Sequence, residues 1–149
     1  MSKPGAAALL TFACFACTAS AQEADPAGEI RATLTKWTDD FNAGNKNEVC
    51  AIFAPDLRYD YRGFPERGYQ DICSTLQRSL SDRATRYSYA LAIKEILVAG
   101  DLAVVRLVWT LTVTPRDAAA AVSHEPGMDV FRRQPDGRWK IVRYIAYEN

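Results

Sequence analysis

Residues 127–144 constrain this chain more than any other stretch. They read as two alternating strands joined by Gln134-Pro-Asp-Gly137. Proline fixes φ in such a turn and glycine accepts a positive φ. Alternation puts Met128, Val130 and Arg132 on one face of a sheet and Asp129, Phe131 and Arg133 on the other. An aspartate that shares a face with phenylalanine is a conflict, because an ionised carboxylate is costly to bury unless it is paired. Asp129 therefore meets water, pairs with an arginine on a neighbouring strand such as Arg106 or Arg143, or lines a pocket.

Upstream, the pattern is helical first and β later. Asp25-Pro26 suits a helix start, and Ile30, Leu34, Trp37 and Phe41 then recur at helical spacing up to a glycine cap at Gly44. Asn45 and Glu48 resemble a capping box for a second helix carrying Val49, Ile52 and Phe53, which Pro55 ends. In a short strand over 57–61, Leu57, Tyr59 and Tyr61 face one side, with Arg58 and Asp60 on the other. After a loop, a third helix carries Tyr69, Ile72, Cys73, Leu76 and Leu80 on one face. Residues 85–98 and 102–114 alternate as long strands around Ala99-Gly-Asp101, residues 115–123 read as a loop or flap, and 124–133 and 138–147 complete the set. Three N-terminal helices packed on a curved antiparallel sheet make an α+β fold. A sheet curved this way forms a cone open at one end, which suits a small molecule.

Residues 1–21 have the form of a secretory leader: Lys3, an apolar run, then Ala19-Ser20-Ala21 at the cleavage position. A lipoprotein signal using Cys14 or Cys17 is the alternative. The leader predicts a periplasmic or secreted protein, a single domain over 22–149 that starts at Gln22. Basic and acidic residues both number 18, so no excess of positive charge favours nucleic acid or an anionic membrane. Cys50 and Cys73 remain after cleavage, and in an oxidising compartment they read as a disulfide, with two buried thiols as the alternative. His124 is the only histidine, and no metal-ligand spacing appears.

Three segments in this order, Trp37-Thr-Asp-Asp-Phe-Asn-Ala-Gly44, Ile52-Phe-Ala-Pro-Asp-Leu57 and Asp136-Gly-Arg-Trp-Lys-Ile141, resemble the nuclear transport factor two-like superfamily, in particular its SnoaL-like and ketosteroid-isomerase-like members. The resemblance spans the chain after the leader and implies the cone-shaped, cystatin-like fold. That fold carries enzymes, binding modules and assembly domains alike. The isomerase-like members place a general-base aspartate after the first short strand, where Asp60 falls. They keep a second aspartate protonated in a late strand to donate to an oxyanion, where Asp129 falls. Their helix-one tyrosine is replaced here by Trp37, whose indole N–H donates but cannot accept.

The resemblance thus implies a pocket for a small apolar molecule, walled by Trp37, Tyr59, Tyr61 and Phe131, with proton transfer by Asp60 and Asp129 and no cofactor. Its alternatives are a non-catalytic periplasmic binding module and a structural homodimer through the outer face bearing Arg106, Val108, Thr110 and Thr112. Pairing of Asp60 with Arg58 or Arg62 competes with the base role. His124 reads as an exposed side chain, or as an acid or base at the cone mouth.

Overall fold

The computed structural model describes residues 25–148, so the expected leader, with Cys14 and Cys17, lies outside the described residues. Helix α1 (Pro26–Asn42) begins as expected. The Asp25 side chain accepts from the Gly28 N–H at 2.9 Å, proline occupies the first turn, and Ile30, Leu34, Trp37 and Phe41 form the buried stripe.

The expected second helix does not form. Residues 46–52 make a run of tight turns, closed by bonds from the Glu48 N–H to the Asn45 carbonyl and from the Ala51 N–H to the Glu48 carbonyl. Two competing bonds account for this. The Asn45 side chain donates to Asp40 at 3.0 Å instead of capping, and the Trp37 indole N–H takes the Val49 carbonyl at 2.8 Å. A helix would have needed both groups. The chain therefore has two α-helices among the described residues.

Strand β1 (Phe53–Tyr61) starts before Pro55 rather than after it. The pairing register shifts between Phe53 and Arg58, and Pro55 sits exposed in that irregular stretch, so its missing N–H costs no ladder bond. Then follow β2 (Arg67–Gly68), α2 (Tyr69–Ser79), β3 (Thr85–Ala99), β4 (Leu102–Pro115), β5 (Ala121–Arg133) and β6 (Trp139–Ala146). They form one six-stranded sheet in the order β2-β1-β6-β5-β4-β3. Three consecutive antiparallel pairings, joining β3, β4, β5 and β6, match expectation, but β1 lies parallel to β6, so the sheet is mixed. Further register shifts at Ile93/Glu95 and Val130/Phe131 bend the sheet around α1 and α2.

The turn at 134–137 closes as expected, with the Gly137 N–H donating to the Gln134 carbonyl at 2.8 Å and Gly137 at φ 83°. The inner face buries Leu57, Val105, Leu107, Phe131 and Ile141 against the α1 stripe. On the outer face Met128 and Ile145, cross-strand partners, stay exposed. Among the described residues no helix is long and apolar enough to cross a membrane. Cys50 and Cys73 form a disulfide, Cα atoms 5.5 Å apart, that ties the turn run to α2. Closing that loop contributes roughly 3 kcal/mol in the chain-entropy account.

Candidate functional site

Between the inner face of the sheet, α1 and α2 lies a cavity of about 290 Å³. One wall is aromatic. Trp37 meets Trp109 with ring centroids 4.9 Å apart, and Phe41 meets Tyr89 at 4.9 Å. Trp37 lines the cavity, but its N–H is already spent on the Val49 carbonyl. Helix α1 therefore contributes shape here and no hydrogen-bond donor. Tyr59 and Tyr61 also line the cavity. Phe131 does not: it is fully buried in the core one pleat beyond Asp129, where the β5–β6 register shifts.

Asp129 faces the cavity, with only 5% of its surface exposed. The strand registers explain why it has no counter-charge. Arg106 and Arg143 stand opposite Met128 and Val130, so both point to the outer face. There Arg106 pairs with Glu95 at 3.2 Å, and Arg143 donates to the Asp56 carbonyl at 3.0 Å. The cross-strand neighbours of Asp129 are Val105 and Tyr144. Burial alone pushes its carboxyl from the ordinary 3.8 up to about 7. Beside it, burial pushes the Tyr144 phenol well above its ordinary range, so the hydroxyl keeps its proton. Tyr144 stacks on Tyr59 at 4.3 Å, which fixes its ring.

Asp60 does not reach the cavity. With Tyr59 and Tyr61 inward, alternation turns it outward beside exposed Ile145. It borders a separate shallow groove with Arg62 and Tyr147. Neither expected arginine holds it: Arg58 pairs instead with Glu66 at 3.6 Å, and no ion pair joins Asp60 to Arg62 among the described residues. His124 is also outside, its ring nitrogen 3.1 Å from the Thr110 hydroxyl on the outer face.

The second carboxyl of the cavity is Glu125. It lies two pleats from Asp129 on the same face of β5, about 13 Å along the strand. Gly127 sits between them, where a Cβ would come within 3.1 Å of the Ile145 carbonyl. Burial raises the Glu125 pKa, the Glu148 charge adds to this, and hydrogen bonding from Tyr61 tempers it. Burial, with the Glu125 and Glu148 charges, in turn pushes the Tyr61 phenol up to about 12. The signal was present in the period-two series Glu125, Gly127, Asp129, Phe131. Among the described residues no cluster of His, Cys, Asp and Glu is placed to hold a metal ion. The site offers neutral donors at one end, a basic carboxylate at the other, and an apolar space between.

A family model described as SnoaL-like domain matches residues 34–144. No curated protein sequence matches the chain. Among solved structures, a conserved protein from Planctomyces limnophilus is similar with 19% identity and TM-score 0.72, covering 83% of this chain and 95% of that one. A ketosteroid isomerase-like protein from Erwinia carotovora shares 20% identity at TM-score 0.66, over 81% and 94%. A putative scytalone dehydratase from Novosphingobium aromaticivorans shares 19% at TM-score 0.66, over 83% of each chain. At these identities the likeness shows the fold alone.

A buried carboxyl with a raised pKa makes stability depend on pH with a definite sign. From about pH 4 to 7 the unfolded chain loses its Asp129 proton while the folded chain keeps it, so stability falls as pH rises. Above pH 7 the full cost, on the order of 4 kcal/mol, is in place. Asp129→Asn removes that cost and keeps the shape. Urea unfolding should show the variant more stable than wild type at pH 8 and nearly equal to it at pH 4. Equal stability at pH 8 would mean that Asp129 is solvated or paired.

Proposed function

The chain belongs to the SnoaL-like domain family, and on that premise we propose that its cavity takes a small, mostly apolar carbonyl compound and moves a proton on it. One observation carries this reading: Asp129 is buried in the cavity wall with no counter-charge, its carboxyl held neutral by desolvation. A neutral carboxyl donates a hydrogen bond to a carbonyl oxygen, and Tyr144 beside it is a second protonated donor. Glu125 takes the base role in place of Asp60, because it is the cavity carboxylate whose basicity burial has raised. It removes a proton from a carbon conjugated with the carbonyl, far enough from the oxygen on Asp129 to lie beside Glu125. The C–H electron pair moves into the π-system, and charge gathers on the oxygen that Asp129 and Tyr144 hold. Returning the proton to a different carbon is an isomerisation. Delivering it to a departing hydroxyl is a dehydration.

Two opposed ionisations set the pH profile. Glu125 must be deprotonated and Asp129 protonated, so activity should rise on the acid side and fall as pH passes about 7. The binding-module reading draws on the commitment of the Trp37 N–H to backbone, and variants separate the two. Screening unsaturated cyclic ketones for isomerisation, Glu125→Gln should lower kcat by roughly a hundredfold or more with ligand affinity kept. Asp129→Asn should lower kcat while removing the fall above pH 7, and Asp60→Asn should change neither. Ligand affinity without turnover in the wild type would favour the binding module.

The same reading places the protein outside the cytoplasm, supported by the leader-like residues 1–21 and the Cys50–Cys73 bridge. Intact mass of the exported protein should correspond to residues 22–149 less two hydrogens. A retained leader, or a lipid on Cys14 or Cys17, would contradict this.

A further inference from the structure

The rim of the cavity carries a cation that the proton-transfer chemistry does not use. Arg67 stands opposite Tyr59 in the β1–β2 register. Directly opposed residues of an antiparallel pair point to the same face, so Arg67 rises from the inner face and lines the cavity. Its guanidinium lies over the Phe64 ring at 4.3 Å. Stacking restrains the plane of the group and leaves its N–H edge directed away from the ring.

Every nearby carboxylate is engaged elsewhere. Glu66 pairs with Arg58, which crosses to the other face over Gly68. Asp71 accepts from the Gly68 N–H at 2.8 Å at the start of α2. Glu125 is engaged by hydrogen bonding from Tyr61. Among the described residues Arg67 therefore has no ion pair and no side-chain hydrogen bond. An oriented guanidinium at the edge of an apolar cavity, with its donors uncommitted, is suited to a planar anion.

We propose that Arg67 makes this cavity selective for a carbonyl compound that also carries a carboxylate, with the carbonyl at Asp129 and the carboxylate at the rim on Arg67. The inference rests on the proton-transfer reading for the inner end of the ligand and adds the chemistry of the outer end. Two polar anchors separated by apolar wall fix the ligand's direction, so that its ring body passes Glu125 in one orientation.

The test compares fluorenone carboxylate with its neutral methyl ester, by calorimetry on the mature disulfide-bonded protein. Wild type should bind the acid at least about tenfold more tightly than the ester, as a charge-assisted pair implies. That preference should shrink as salt is raised. Arg67→Gln should abolish the preference while changing ester affinity by no more than about twofold, and Arg67→Lys should retain part of it, a point charge without the planar fork. Equal binding of acid and ester by wild type would overturn the inference and leave the cavity reading standing. So would an Arg67→Gln variant that weakens both ligands equally, since Arg67 would then only be packing on Phe64. Failure of both compounds to bind would overturn the inference together with the reading beneath it.

Discussion

The structure turns on the burial of one carboxyl without a partner. Asp129, on the inner face of β5, has no counter-charge because the β4–β5–β6 registers send Arg106 and Arg143 to the outer face. Re-registering β5 by one residue would expose Asp129 but also turn Phe131 out of the core and bring Met128 in. The hydrophobic requirement of Phe131, which is fully buried, therefore holds Asp129 in place. Desolvation then does the chemistry. An ionised Asp129 would be uncompensated, so the group keeps its proton to about pH 7 and becomes a donor instead of an acceptor. Fold stability is exchanged for a poised polar group, and the cost falls on the site that uses it.

A second commitment shapes the cavity from the other side. The Trp37 indole N–H is bound to the Val49 carbonyl, which holds the turn run 46–52 against α1 and stops it from coiling into a helix. The disulfide from Cys50, the next residue, to Cys73 fastens the same segment to α2. Helix α1 thus spends its indole N–H on architecture, and the acidic and basic groups that line the cavity come from the sheet. Asp129 and Tyr144 are cross-strand neighbours on β5 and β6, Glu125 is two pleats along β5, and Arg67 stands across from Tyr59. A site built on paired strands is positioned by backbone hydrogen bonds, which hold it more firmly than a loop would.

What could be read from the sequence was local. The α1 stripe, the 134–137 turn, the long β3–β4 hairpin and the shared face of Asp129 and Phe131 follow from spacing and turn chemistry alone, and the cysteine pair from the expected export. What could not be read depended on distant partners. The second helix failed because Val49 was claimed from twelve residues upstream. The parallel pairing of β1 with β6 joins segments at opposite ends of the domain, and hairpin logic connects only consecutive strands. Asp60 is a different case. Its motif context suggested a base, yet the alternation that puts Tyr59 and Tyr61 inward already turned it outward, and the alternation prevailed. Glu125 obeyed the same period-two rule on β5, but it fell in a stretch adjoining the expected flap, where the strand began three residues earlier than 124.

The central claim is that Asp129 is a desolvated carboxyl in the cavity wall that keeps its proton up to about pH 7. Carboxyl carbon NMR of the mature protein, with the Asp129 resonance assigned by the Asp129→Asn variant, measures this directly as pH is varied. The account predicts a midpoint near 7, far above an ordinary aspartate, with no response to moderate salt because no counter-charge is involved. A midpoint at or below 4 would mean that water or a cation reaches Asp129, and the cavity would then hold no poised donor.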